Sequence, residues 1–440
     1  GAGITMADFK PGTRIPTIDG DELEIIQKLG EGGQGTVYKV KYGGEKLALK
    51  WYFDNKLHNR ASFYNNIDNN IKKGAPTNNF FWPIQITEEY DDSFGYLMKL
   101  RPAEYKDFSM FLLAKERFSS IDAVINAALS IITSFRALHQ KGFSYQDLND
   151  GNFFINPKTG DVLICDNDNV APYGEALGIA GKCRYMAPEI VVGKKQPGMK
   201  TDQFSLAVVL YMLLFLNHPL EGKRTMCPCL TEELERKYYG EDPIFVYDDN
   251  NDTNRPVPGV HSNELKLWNV YPEFIREIFK KAFAKEAMVG DAADSYRVNE
   301  KEWEDAFIKL LDVKITCPSC GESTFIDRTG GKQPICINCD TPIKRVPILK
   351  VGRHEVILAP GKFLHPCHVT ADKPDYKTKV GQVMNNKLNP GVFGLKNNSG
   401  NIWEAVLPDG SNRLIKDDET VKLVKGMRIK FAYNHIGEII

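Results

Sequence analysis

Gly30-Glu31-Gly32-Gly33-Gln34-Gly35-Thr36-Val37 precedes Ala48-Leu49-Lys50, and Lys50 lies thirteen residues beyond Val37. Glycines between two strands let backbone N–H groups approach phosphates with no Cβ in the way. A lysine on the next strand can then reach the α and β phosphates. The flanks Ile25–Leu29 and Val37–Val40 read as those strands. An ordinary glycine-rich hairpin is the alternative for this segment alone. Farther on, Asp147 and Asn152 stand five apart in Ser144-Tyr145-Gln146-Asp147-Leu148-Asn149-Asp150-Gly151-Asn152, and the apolar stretch from Val162 ends in Asp166. Ala187-Pro188-Glu189 follows, and Asp202 opens a long apolar helix running to about Leu216. A second chemistry sits apart from these. Cys317-Pro318-Ser319-Cys320 and Cys336-Ile337-Asn338-Cys339 are two C-x-x-C pairs with fifteen residues between them. Four thiolates on two tight knuckles suit tetrahedral Zn²⁺. Gly321 and Gly330-Gly331 fit the turns. Iron could take the same ligands, but the sequence offers no electron-transfer partner.

The order of the first five segments resembles the eukaryotic-type protein kinase family, over about residues 21–312. The resemblance implies a bilobal fold and ATP as phosphoryl donor, with Mg²⁺ or Mn²⁺. Phosphoryl transfer asks the protein mainly to position the groups and neutralise developing charge. By resemblance, Gly30, Gly32 and Gly35 cover the phosphates and Lys50 holds two of them. Asn152 and Asp166 are the magnesium ligands, and Asp147 accepts or orients the proton of the acceptor hydroxyl. Val37 and Ala48 lie above the adenine and Phe154 below it. Met98 guards the back of the pocket, and Lys99 to Leu100 supply the hinge backbone. Glu189 is expected to pair with Arg297, in the stretch Asp294-Ser295-Tyr296-Arg297-Val298.

Several positions depart from the family pattern. Tyr145-Gln146 stands where His-Arg is usual, so a phosphorylated activation loop would lack its basic partner. The segment from Asp166 to Glu189 is short. Asn167 replaces the usual Phe and cannot serve as an apolar plug. The helix expected over Ala61–Lys73 contains no Glu to pair with Lys50; Asp68 lies closest to the expected offset. Asn149 occupies a position where Ser/Thr kinases carry Lys, and Lys182 one where they carry Thr. Lys182 is thus either the replacement cation near the γ-phosphate or a solvated loop charge.

At 440 residues the chain has room for two to four domains. With 56 Lys and Arg against 57 Asp and Glu, bulk charge points to neither nucleic acid nor membrane. No uninterrupted apolar run reaches about 18 residues, and no basic-then-apolar leader opens the chain. Gly1–Thr5 read as an expression scar. Nine cysteines, four of them in the metal-type spacing, argue against a disulfide framework and for the cytoplasm.

The expected order is a leader over 1–20, an N-terminal lobe over 21–101 and a C-terminal lobe over 102–312 with a long polar loop at 221–265. A zinc ribbon at 313–345 and an all-β domain at 346–440 follow. Val356–Leu358, Val392–Leu395, Trp403–Val406 and Met427–Phe431 read as short strands of a sandwich or barrel. Gly394–Asn397, Pro408–Gly410 and Lys425–Ile429 resemble the forkhead-associated sandwich, without its Ser and Asn-Gly-Thr recognition residues. The surplus of 16 Lys and Arg over 9 Asp and Glu after residue 340 reads as a solvated surface. His365, Cys367 and His368 read as a loop rather than a second metal site, as do Cys227 and Cys229.

The whole arrangement is similar to bacterial Ser/Thr kinases of tellurite-resistance-type stress systems. That family implies a von Willebrand A-type protein and a metal-dependent phosphatase as partners, beside a protein substrate. The rival reading is a nucleotide-binding pseudokinase scaffold, favoured by Asn149, Asn167 and the missing helix Glu. A small-molecule or lipid kinase is disfavoured by Ala187-Pro188-Glu189.

Overall fold

A computed structural model describes residues 8–54, 57, 59–146, 148–172, 182–328, 331–370 and 374–440. Two compact units make up the chain: residues 1–267 with 278–304, and residues 268–277 with 305–440. The second therefore groups the four-cysteine segment and the β domain with Trp268–Glu277. Within it Tyr271 packs on Phe325, and the Glu273 amide donates to the Asp327 carboxylate.

The first unit opens on a six-stranded sheet of order β1-β2-β3-β4-β6-β5. Its strands are β1 (Arg14–Pro16), β2 (Glu22–Glu31), β3 (Gly35–Tyr42), β4 (Glu45–Tyr52), β5 (Gln85–Ile86) and β6 (Gly95–Met98), with helix α1 (Arg60–Lys73) between β4 and β5. Strand alternation sends Leu47, Leu49 and Trp51 of β4 into one core layer, and Ala48 and Tyr52 into another with Phe63 and Ile67 of α1. The described end of the expected leader is docked on this sheet. Arg14–Pro16 pair with Glu22–Glu24, and Ile15 is completely buried because it completes the first layer.

The rest of this unit is mainly helical. It contains β7 (Lys106–Asp107), α2 (Phe108–Leu112), α3 (Ile121–Gln140), β8 (Phe143–Tyr145), β9 (Phe153–Ile155), β10 (Val162–Ile164), β11 (Val170–Pro172), α4 (Pro188–Val191) and α5 (Met199–Phe215). Then come α6 (Glu232–Arg236), α7 (Ser262–Leu267), residues 278–282 of α8 (Glu273–Ala282), α9 (Lys285–Met288) and residues 300–304 of α10 (Glu300–Val313); the rest of α8 and α10 belongs to the second unit. By length and composition α3 could cross a membrane, yet Ile125, Leu129, Ile132 and Phe135 are buried as in a core helix. Every residue of α5 from Thr201 to Phe215 is buried, as expected for a helix apolar on all sides. The stretch 221–265 is tied down rather than loose: Asn254 donates to Leu220 and Ile244 carbonyls, and Arg255 to those of Val246, Asn251 and Asp248.

In the second unit, β12 (Lys314–Thr316) and β13 (Ser323–Phe325) form a hairpin. A two-sheet sandwich follows, made of β14 (Ile348–Val351), β15 (His354–Ile357), β16 (Phe363–Leu364), α11 (Pro366–Val369), β17 (Gly381–Asn385), β18 (Phe393–Asn397), β19 (Trp403–Val406), β20 (Asn412–Ile415), β21 (Thr420–Lys422), β22 (Arg428–Ala432) and β23 (His435–Ile439). One sheet runs β15-β14-β23-β22-β19-β20 and the other β16-β17-β18-β21. Leu349, Trp403, Ile429 and Ile439 from the first meet Leu364, Val383, Leu395 and Val421 from the second.

Candidate active site and four-cysteine cluster

Antiparallel register brings the upper site together. Val37 lies opposite Lys50, Ala48 opposite Met98, and Lys50 opposite Tyr96. Val37 and Ala48, expected above an adenine, share one apolar cluster with Met98, expected behind it, and Leu100 of the hinge. Gly35 has a second reason to be glycine: a Cβ there would lie 2.1 Å from the Trp51 carbonyl oxygen. No heavy atom lies within 4 Å of the Cβ position of Gly30 or Gly32, which leaves the loop's backbone approachable. Phe154, on β9, carries the Arg101 guanidinium 4.0 Å over its ring.

Lys50 is buried, and its Nζ lies 3.0 Å from Asp168 Oδ2, 3.5 Å from Asp166 Oδ1 and 3.3 Å from Gln34 Oε1. Burial alone would discharge it, but Asp168 and then Asp166 outweigh that penalty and hold its pKa above the ordinary lysine value. Asp68, the helix acid nearest the expected offset, is not the partner. It pairs with Lys72 at 3.0 Å along α1, whose buried positions are Phe63, Asn66, Ile67 and Asn70.

Asp166 takes the left-handed conformation (φ 57°), which Asp tolerates better than most residues, and its side chain stays 44% exposed. Asn152 is buried: its Oδ1 accepts the Asn149 amide at 2.8 Å, and its Nδ2 donates to the Cys165 carbonyl. Asp166 and the second lone pair of Asn152 Oδ1 are oxygen donors of the kind Mg²⁺ takes. Asn149 caps the turn by accepting from the Gly151 amide at 2.8 Å. Lys182 is exposed, with Nζ 3.8 Å from Asp150 Oδ1, so it does lie against this loop. Asp147 lies outside the described residues.

The departures from the kinase pattern have structural substitutes that sequence reasoning missed. The Tyr145 hydroxyl lies 2.7 Å from the Cys165 carbonyl and 3.2 Å from Asn167 Oδ1. Asn167 is fully buried as a polar plug, its Nδ2 donating to the Phe81 and Ile164 carbonyls. Below them Asp202 accepts the Tyr145 amide at 2.7 Å and contacts His139 Nε2 at 2.8 Å, while His139 Nδ1 meets Glu300. Burial opposes a charge on His139, but the hydrogen bonds to Asp202 and Glu300 prevail and push its pKa up to about 9. Glu189 meets Arg297 through two parallel bonds of 2.6 and 2.8 Å, as expected from the sequence.

The described residues bring together a buried lysine, an exposed acid and an amide oxygen, groups of the kinds that phosphoryl transfer uses. The chain belongs to the protein kinase family: the family model described as protein kinase domain matches residues 23–264, more than half of it. It is similar to NUAK family SNF1-like kinase 2 of Rattus norvegicus, with 26% identity over 204 residues covering 46% of this chain and 32% of that protein. Serine/threonine-protein kinase MPS1 of Encephalitozoon cuniculi is 27% identical over 231 residues, covering 50% and 36%. The chain thus spans about a third of the length of these relatives. Among solved structures, the Mycobacterium tuberculosis PknI kinase domain aligns with TM-score 0.45 and 17% identity, over 69% of this chain and 100% of that one.

In the second unit the four thiols converge. Cys317 and Cys339 Sγ lie 3.8 Å apart, Cys320 and Cys336 Sγ 3.7 Å, and all four fall within 4.8 Å of one another. A tetrahedral zinc with Zn–S of about 2.3 Å separates its sulfurs by about 3.8 Å, so the spacing fits that ion. The knuckles repeat each other: Gly321 and Asp340 both take positive φ (76° and 58°), and their amides return to the Cys317 and Cys336 carbonyls. Asp312, His354 and His368 form a second buried group. Its oxygen–nitrogen distances of 2.7 Å are those of hydrogen bonds, shorter than the ~3.3 Å across a tetrahedral zinc. His365 and Cys367 do not join it; His365 Nδ1 lies 2.8 Å from the Thr378 carbonyl.

Proposed function

We propose that the protein is an ATP-dependent Ser/Thr protein kinase using Mg²⁺ or Mn²⁺. The observation that carries this reading is the convergence of buried, charged Lys50 with Asp166 beside Asn152, under an open glycine loop. Asp147 orients the acceptor hydroxyl, and Lys182 supplies the cation that Asn149 does not, because Asn149 is spent as a turn cap. The scaffold reading keeps one supporting feature, Asn149 itself. Its other two supports weaken, since Asn167 is a satisfied polar plug and Lys50 has a carboxylate partner without a helix Glu.

The cysteine cluster holds a structural zinc, as its sulfur spacing favours. The β-sandwich is a forkhead-associated-like module; under the scaffold reading it and the zinc ribbon bind partner proteins. By family resemblance, the setting is a bacterial stress response in the cytoplasm, with a von Willebrand A-type protein and a metal-dependent phosphatase as partners. The test is transfer of radiolabel from [γ-³²P]ATP by the intact protein, to itself or to added protein, followed by phosphoamino-acid analysis. Label on serine or threonine is expected. Absence of label with both Mg²⁺ and Mn²⁺, while ATP still binds, would establish the scaffold instead.

A further inference from the structure

We propose that Asp168, rather than any residue of α1, is the positioning carboxylate for Lys50. This inference rests on the kinase reading and adds to it how the site is set. In most protein kinases the lysine's acidic partner rides on a helix whose position can switch activity. Here α1 offers none at the site. Its inward face is Phe63 and Ile67 with Asn66 and Asn70, and both asparagines donate to the Val170 carbonyl, at 2.8 and 2.7 Å. Asp68 is spent on Lys72.

Asp168 is built for the role. Its side chain has no solvent exposure, and an ionised carboxylate there needs partners. Lys50 Nζ lies at 3.0 Å, the Tyr52 hydroxyl at 2.6 Å and the Tyr96 hydroxyl at 3.4 Å. Sheet geometry explains the set: Tyr52 follows Lys50 by two on β4 and shares its face, and Tyr96 stands directly across on β6. Asp166, two residues before Asp168, keeps its carboxylate 44% exposed and 3.5 Å from Lys50 Nζ. One turn therefore carries both the metal acid and the lysine's partner. α1 bears on that turn through the Asn66 and Asn70 bonds to Val170, not through an acid on Lys50.

The test uses the full chain, with Asp168→Asn, Lys50→Met, their combination, Asp68→Asn and Tyr52→Phe, each checked by thermal melting. Two quantities are read: kcat/KM for phosphoryl transfer, and ATP affinity by calorimetry with Mg²⁺. Asp168→Asn is expected to lower kcat/KM about 100-fold, the scale set by a misplaced catalytic group. The double variant should be no worse than Lys50→Met, because Asp168 acts through Lys50; a merely structural role would add its own loss. Asp68→Asn should stay within about twofold of wild type. If Asp168→Asn does not fold, Tyr52→Phe takes its place, with a smaller loss that Lys50→Met likewise absorbs. A kcat/KM within threefold of wild type, or losses that multiply, would overturn the inference and leave the kinase reading standing. If wild type binds ATP but transfers nothing, the kinase reading falls, and the same cycle in ATP affinity decides the role of Asp168.

Discussion

Arg297→Met should strand a carboxylate inside the kinase unit. The Arg297 side chain is 1% exposed and that of Glu189 12%, and the two parallel bonds between them are joined by Arg297 bonds to the Lys200 and Ala287 carbonyls. Removing one partner of a buried pair costs about 3–5 kcal/mol. Each carbonyl that loses its donor adds about 1 kcal/mol, and the apolar packing of Met returns part of this. A net loss of about 4 kcal/mol follows. With a urea m-value of about 3 kcal/mol/M, the midpoint should fall by about 1 M or more. A chain of two units need not unfold in one step, so hydrogen exchange at the α5 amides should accompany circular dichroism and report this unit alone. Arg297→Lys keeps the charge but not the planar fork and should lose about half as much. Combined with Glu189→Gln, the two costs should fall short of their sum by about 2 kcal/mol. A loss under about 1 kcal/mol for Arg297→Met, or simple additivity, would refute the reasoning.

His139 makes stability depend on pH. Its pKa is raised from 6.5 to about 9, so its contribution is fully present below about pH 6.5 and fades as pH rises through about 9. The whole effect is about 3 kcal/mol; the gap in urea stability between wild type and His139→Gln should narrow by that order between pH 6 and pH 9.5. Metal analysis should find one zinc per chain. A strong chelator should then unfold the β12–β13 region while nucleotide binding persists, whereas iron, or no metal, would contradict the zinc assignment. Lys182→Ala should lower kcat about tenfold or more with KM for ATP nearly unchanged, the pattern of a group acting in the transition state, and Lys182→Arg should restore part of it. An unchanged kcat would make Lys182 a solvated loop charge.

What the sequence reveals follows from how local each signal is. Glycine spacing, the apolar run before Asp166, the paired C-x-x-C knuckles and the helices at α1 and α5 are written in contiguous residues, and the fold places them as expected. The Glu189–Arg297 pair is distant in sequence but carried by family pattern. Asp168 carries no contiguous signal. It occupies a position where the family has glycine, and its partners come from two strands, β4 and β6. The available signal was a tyrosine two residues beyond Lys50, together with a spare acid beside Asp166 in a chain whose helix lacks Glu. The His139–Asp202–Glu300 network joins three helices, and no spacing rule announces it. Pro11, Gly12 and Pro16 give the leader pattern, while the burial of Ile15 docks the segment on the sheet.

Calorimetric titration of ATP, with and without Mg²⁺, into wild type, Asp166→Ala and Asp147→Ala probes the cleft itself. Wild type should bind ATP more tightly with the metal, since the ion bridges protein and phosphates. Asp166→Ala should lose that metal-dependent increment, and Asp147→Ala should retain it while losing phosphoryl transfer. Equal metal dependence in wild type and Asp166→Ala, or no ATP binding by wild type at all, would contradict the assignment of this cleft as a phosphoryl-transfer site.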